Sequence, residues 1–195
     1  MELIENHIKI FGAKEVFAIE IKPYKIPKKF YLRLWFDNHS IGDFKKAGSL
    51  DYIINTYFKL ERNINYISDS PFKEMTDMEV FNELVMIVQR ELPIEEENAL
   101  VERMNKYAAV FGVEQFLDFT FLIMKSCAEE NLKFLIYEMD GNDDPKLYSY
   151  KIKNSYFFNV YKQFILYAFQ NDFKKRKPFF PEGFSYSDFT SVREK

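Results

Sequence analysis

Residues 30–37, Phe-Tyr-Leu-Arg-Leu-Trp-Phe-Asp, alternate loosely and are rich in aromatic side chains, and Asp37-Asn38-His39-Ser40 make a turn at their end. In a strand, successive side chains point to opposite faces, so such a run has an apolar side and an amphipathic side. Asn and Asp favour turns because they tolerate left-handed backbone and bond their own main chain. The pattern predicts a β-hairpin with Ser40-Ile41-Gly42-Asp43-Phe44-Lys45-Lys46 leading out as the second strand and His39 near the tip. An isolated hairpin is marginal in water, so the rest of the chain has to supply the layers that cover it.

Those layers are readable. Residues 15–22, EVFAIEIK, have strand composition and end at Pro23. Ser49 is placed to cap a helix whose Leu50, Ile53, Ile54, Tyr57 and Phe58 recur with the helical period. Thr76-Asp77-Met78-Glu79 has capping-box spacing, with Val80, Leu84, Ile87 and Val88 as the apolar stripe and Pro93 as the stop. Glu95-Glu96-Glu97 opens a further helix, where negative charge suits the N-terminus. Leu100, Val101, Met104, Ala108 and Phe111 form its expected buried side and Gly112 its C-cap. Residues 116–127 read as a strand, with a helix as the alternative; 132–139 and 146–153 read as strands around the acidic turn DGNDD, and Asn154-Ser155 caps a last helix. The order strand, strand, strand, helix thus occurs twice. The expected fold is a single α+β domain, an antiparallel sheet from N-terminal and C-terminal strand groups packed with about four helices. Strands fall at about 15–46, helices at about 49–111, strands at about 116–153 and a helix at about 155–172, before an irregular tail.

Composition narrows the setting. With 22 Phe and 13 Tyr among 195 residues, the core is expected to be Phe-rich. The lone Cys127 cannot form an internal disulfide, which fits a reducing compartment. The N-terminus is acidic where a signal peptide would be basic, and the most apolar window, 116–124, is too short for a bilayer. A soluble, cytoplasmic protein is expected.

Chemistry is sparse. Cys127 lies in an apolar stretch and reads as a small core residue rather than a nucleophile. His7 and His39 are far apart and no C-x-x-C exists, so no metal or other cofactor is expected. Phosphate-binding glycine loops are missing. The net charge of −3 and a basic run of only four residues, 174–177, argue against nucleic acid as a partner. The sharpest enzymatic pattern is Arg33 with His39, which resembles the short motif of HEPN-fold ribonucleases. There both residues project from a helix, whereas here the pair spans a hairpin turn. The plainer reading pairs Arg33 with a carboxylate on the sheet surface and leaves His39 as a solvated turn residue.

Charge is unevenly spread. Residues 68–102 hold ten acids and two bases, net −8, which leaves +5 on the rest. A solvated helical face explains this. So does a surface for a basic partner, because complementary fields speed encounter and select partners. The candidate contact residues are Glu95, Glu96 and Glu97, with Asp140, Asp143 and Asp144 as a second cluster.

Residues 17–24, FAIEIKPY, followed by 30–57, FYLRLWFDNHSIGDFKKAGSLDYIINTY, resemble the start of the immunity protein 42 family of bacterial polymorphic-toxin systems. That family opens with an F-A-I-E strand and continues into a hairpin with an I-G-D element, here Ile41-Gly42-Asp43, and a helix. The resemblance implies a non-catalytic antitoxin that binds the toxin C-terminal domain of its own system in the cytoplasm. A basic nuclease is one toxin that would suit the acidic helices. The alternatives from the residues alone are a generic intracellular protein-interaction module and an Arg/His ribonuclease. On the immunity reading the hairpin is scaffold, with Trp35 in or near the core and Gly42 required by backbone geometry.

Overall fold

The computed structural model describes residues 8–24, 29–85, 93–139 and 146–172. The elements run β1 (Lys9–Ala13), β2 (Phe17–Pro23), β3 (Lys29–Phe36), β4 (His39–Ile41), β5 (Ala47–Ser49), α1 (Leu50–Asn63), α2 (Asp77–Leu84), α3 (Ile94–Tyr107), β6 (Ala108–Ala109), β7 (Phe119–Lys125), β8 (Asn131–Glu138), β9 (Lys146–Lys153) and α4 (Asn154–Asp172). A single 3-10 turn, Ser70–Phe72, lies between α1 and α2. The fold is α+β, as its sequence pattern implies. The N-terminal and C-terminal strand groups form two antiparallel sheets: one of order β1-β2-β3-β4 with β5 also on β3, the other β6-β7-β8-β9.

The predicted hairpin is present. Asp37 and Asn38 form its turn with positive φ, 47° and 61°, the left-handed pair a tight two-residue hairpin requires. The returning strand is shorter than expected. It leaves the sheet after Ile41 at Gly42, whose φ is +106°, and regains β3 only at β5. A Cβ on Gly42 would sit 2.5 Å from Phe116 Cε1, so both backbone and space demand glycine there.

The core sits where the sheets and α4 meet. Phe17 and Phe36 of the first sheet lie 6.4 and 5.2 Å from Phe134 of the second, and Phe157 of α4 closes the group at 4.9 Å from Phe17 and 5.2 Å from Phe134. All four rings are fully buried, each worth about 1.5–3 kcal/mol relative to exposure. Helix α1 buries the stripe its sequence marks, Leu50, Ile53, Ile54, Tyr57 and Phe58, and Ser49 caps it by accepting from Asp51 N–H at 3.2 Å. Tyr161 of α4 donates its hydroxyl to the Ile53 carbonyl at 3.0 Å and ties the two helices together.

Helix α2 covers the far face of the second sheet. On β8, Leu132, Phe134 and Ile136 point toward the core, so by the strand alternation Lys133 and Tyr137 point away. There Phe81 of α2 stacks on Tyr137 at 4.4 Å, and Asp77 pairs with Lys133. Helix α3 lies beside α2, joined by an Arg103–Glu83 ion pair at 2.9 Å.

Several expectations change. Residues 119–125 are strand, so the helix alternative falls. Helix α3 stops at Tyr107, and Gly112 is not its cap. The helical spacing of Ala108 and Phe111 is accidental, because Ala108 and Ala109 pair with Leu122 and Phe121 as β6. Cys127 is exposed, just past β7. Strand β1 had no counterpart in the sequence pattern. Ile87, Val88 and the tail from Lys174 lie outside the described residues.

Candidate functional site

The outer face of the first sheet is built around a buried carboxylate. Glu20 of β2 stands opposite Arg33 of β3 and is 3% exposed. Arg33 donates to both its oxygens, Nε to Oε2 at 2.8 Å and Nη2 to Oε1 at 3.0 Å. The Trp35 indole N–H donates to Oε2 at 2.6 Å, and Lys14 Nζ lies 3.5 Å away. Burial alone would raise the Glu20 pKa; the bonds from Arg33 and Trp35 and the charges of Arg33 and Lys14 outweigh it and hold the carboxyl below its ordinary value. Arg33 therefore pairs with a carboxylate at the sheet surface, as the plainer reading has it. Trp35 is half-buried over this carboxylate and outside the main core, with Lys14 3.9 Å from its ring centroid.

His39 is not a solvated turn residue. It pairs with Phe36 across the hairpin, so it faces the core side, where its Nδ1 shares a 2.7 Å hydrogen bond with the Tyr150 hydroxyl and its ring lies 4.5 Å from Tyr148. It bridges the two sheets. Burial, with the nearby Tyr148, Asp37 and Glu138, pushes the Tyr150 hydroxyl up to about 12. Arg33 and His39 thus occupy opposite faces of one sheet and cannot converge on a phosphate. Among the described residues no group of three metal-ligating side chains exists, and His7 lies outside them.

The acidic helices are different in kind. On α2, Asp77 is engaged by Lys133 and Ser149, which with nearby lysines outweigh burial and lower its pKa. Glu79 closes the capping box: Thr76 N–H donates to its Oε2 at 2.7 Å, and its own N–H donates to Thr76 Oγ1 at 3.3 Å. Glu83 holds Arg103. These acids serve the fold. Helix α3 presents the others: Glu95, Glu96, Glu97 and Glu102 are exposed, and no ion pair to them occurs among the described residues. Only Tyr107 of its fourteen residues is buried, while Leu100, Val101 and Met104 are half-buried rather than core. The helix is anchored at its foot, where Lys59 of α1 donates to the Asn105 and Ala108 carbonyls at 2.5 and 2.7 Å. Burial lowers the Lys59 pKa. Asp140, Asp143 and Asp144 lie outside the described residues.

Beside the foot of α3 a partly open cleft of about 300 Å³ is lined by Met104, Ala108, Phe116, Phe119 and Leu122 among others, with Thr120 its one polar side chain. Sequence reading missed it, because its walls come from segments that meet only through the β6–β7 pairing.

The body is thus a double-layered α+β fold carrying an anchored, exposed acidic helix, with its candidate catalytic pair split between two faces of one sheet. The model of the immunity protein 42 family matches residues 9–167, most of the chain, and the chain belongs to that family. It is an immunity protein, a protein that neutralises a toxin. The fold also matches the crystal structure of CdiI from Burkholderia dolosa AUO158, at 10% identity and a TM-score of 0.53, over 82% of this chain and 99% of that one. No curated protein matches the sequence. No helix of the described residues is long and apolar enough to cross a membrane.

Proposed function

We propose that this chain binds the C-terminal toxin domain of its own toxin system in the cytoplasm and blocks it without catalysis, through the exposed acidic face of α3 against a basic toxin surface. The observation that carries this reading is the division of labour among the acids. Those on α2 are used in caps and ion pairs, whereas Glu95, Glu96, Glu97 and Glu102 are held outward on a helix whose foot is fixed. In the first turn Glu95, Glu96 and Glu97 suit the helix dipole, and with no ion pair to them among the described residues their field is available to attract a basic partner. A nuclease, which must itself bind a polyanion, is one toxin with a suitable surface.

The test is coexpression of the toxin domain with this chain. Growth should be restored and a stable complex should elute as one species on gel filtration. Restored growth without any complex would point to an activity of the chain itself and overturn the binding mechanism.

A further inference from the structure

We propose that the cleft at the foot of α3 is the anchoring pocket of the toxin interface, taking one bulky apolar side chain of a toxin segment whose basic residues meet the α3 glutamates. The proposal rests on the immunity reading above and adds to it the chemistry of the segment recognised.

Three observations point the same way. The cleft is partly open and its side chains are apolar apart from Thr120, with a volume of about 300 Å³, enough for an aromatic or branched aliphatic side chain. Val110, which lines it, is 49% exposed, and the loop that carries it from β6 to β7 also exposes Val113 and Leu117, at 40 and 59%. Exposed apolar side chains grouped beside a charged face mark protein contact surfaces. Finally, the cleft is continuous with the acidic helix. Met104 of α3 lines it, as does Ala108 of β6 just beyond the helix, and Glu97 stands on the same stripe of α3 as Met104, seven residues earlier. That is two turns of helix, so Glu97 lies about 10 Å along the axis from Met104. An extended segment rises about 3.3 Å per residue. A Lys or Arg about three residues from the apolar anchor would therefore reach Glu97 while the anchor fills the cleft. An apolar pocket rimmed by complementary charge is the arrangement in which a few residues carry most of an interface's affinity.

The two parts of the site should separate kinetically. The glutamates act over distance and set the association rate, whereas a desolvated anchor sets the dissociation rate.

The experiment uses the full chain and an active-site-inactivated toxin domain. Ala108→Phe fills the cleft from its own wall, and Thr120→Phe does so from β7. Either is expected to raise the dissociation rate at least 30-fold with little change in association. In wild-type chain labelled with methyl-13C-methionine, the Met104 resonance, assigned by Met104→Leu, should shift when the toxin domain is added. The fluorescence of the only tryptophan, Trp35, on the outer face of the other sheet, should be unchanged in a complex with a toxin domain stripped of its own tryptophans. A complex that forms normally with a folded Ala108→Phe or Thr120→Phe chain, or one that leaves the Met104 resonance in place, overturns the anchor and leaves the immunity reading standing. The methyl measurement decides even if neither variant folds. A Met104 shift that follows the concentration of the chain alone would assign the cleft to self-association and overturn the proposal. Absence of any complex with wild-type chain removes both the anchor and the binding mechanism.

Discussion

Arg33 and His39 stand six residues apart on one hairpin and face opposite sides of its sheet: Arg33 clamps the Glu20 carboxylate on the outer face, and His39 reaches the Tyr150 hydroxyl on the inner one. The hairpin is a joint between layers. Its outer side neutralises a buried charge and its inner side locks the first sheet onto β9.

The Glu20 cluster makes a strong stability prediction. Arg33→Met should cost about 3–5 kcal/mol, because it leaves a carboxylate that is 3% exposed without its bidentate partner. Trp35→Phe keeps the ring and removes one charge-assisted hydrogen bond, for about 1.5–3 kcal/mol. Urea denaturation of each variant measures both. Equal, small losses would mean that water reaches Glu20 freely.

The same cluster gives a pH dependence. The folded Glu20 pKa is depressed below the ordinary value of 4.5. The stabilisation is therefore complete above about pH 4.5 and is lost as pH falls through the lower, folded value. Glu20→Gln should flatten that part of the acid limb while lowering stability at neutral pH. Melting temperature against pH from 2 to 7 for the two proteins is the measurement, and parallel curves would deny Glu20 this role.

His39→Ala should destabilise by about 1–2 kcal/mol, since it deletes the bond to Tyr150 and the contact with Tyr148. An exposed turn histidine would give about 0.5 kcal/mol or less. The difference is resolvable by chemical denaturation.

Gly42→Ala should cost about 1–3 kcal/mol. It forces a side chain onto a backbone with φ of +106° and drives a Cβ toward Phe116. Gly42→Asn should not rescue it, because the obstacle is space as well as backbone. Full rescue by Asn would show that Phe116 moves aside.

What the sequence could disclose followed from the range of the interactions involved. Ser49, the Thr76–Glu79 box and the Asp37-Asn38 turn are decided within four residues, and each stands where local chemistry puts it. The α1 stripe is equally plain, because one face of it is wholly buried. Strand β1 was illegible: Lys9-Ile10-Phe11-Gly12-Ala13 is weakly patterned, and its burial depends on β2 and on Phe164 and Tyr167 of α4. The end of α3 was misplaced for the same reason, since pairing with β7 stops a pattern that still has helical period. Trp35 was expected in or near the core, because aromatic residues usually are, and it is half-buried. It stands on the outer face of its sheet rather than in the main cluster because its strand alternates, and there it donates to Glu20. The glutamates of α3 were visible by composition, but only the structure separates them from the acids that α2 consumes.

The last prediction concerns those glutamates. Converting Glu95, Glu96 and Glu97 to lysine changes the local charge by six on the first turn of α3. If this surface meets a basic toxin, wild-type association should slow as salt rises, because the field is screened over about 8–10 Å at physiological ionic strength. The triple variant should associate at least tenfold more slowly at low salt, with the salt dependence gone or reversed. Folding has to be controlled, since Pro93 offers α3 no side-chain cap and its N-terminus relies on those acids. Each lysine there opposes the helix dipole by about 0.3–1 kcal/mol. The triple glutamine variant removes the charge without that reversal and should fall between the two. The measurement is stopped-flow association with the toxin domain at 50 and 300 mM salt, with circular dichroism on every variant. A folded triple-lysine chain that associates at the wild-type rate, with the wild-type salt slope, would reduce the glutamates to a solvated face and move the toxin contact elsewhere on the molecule.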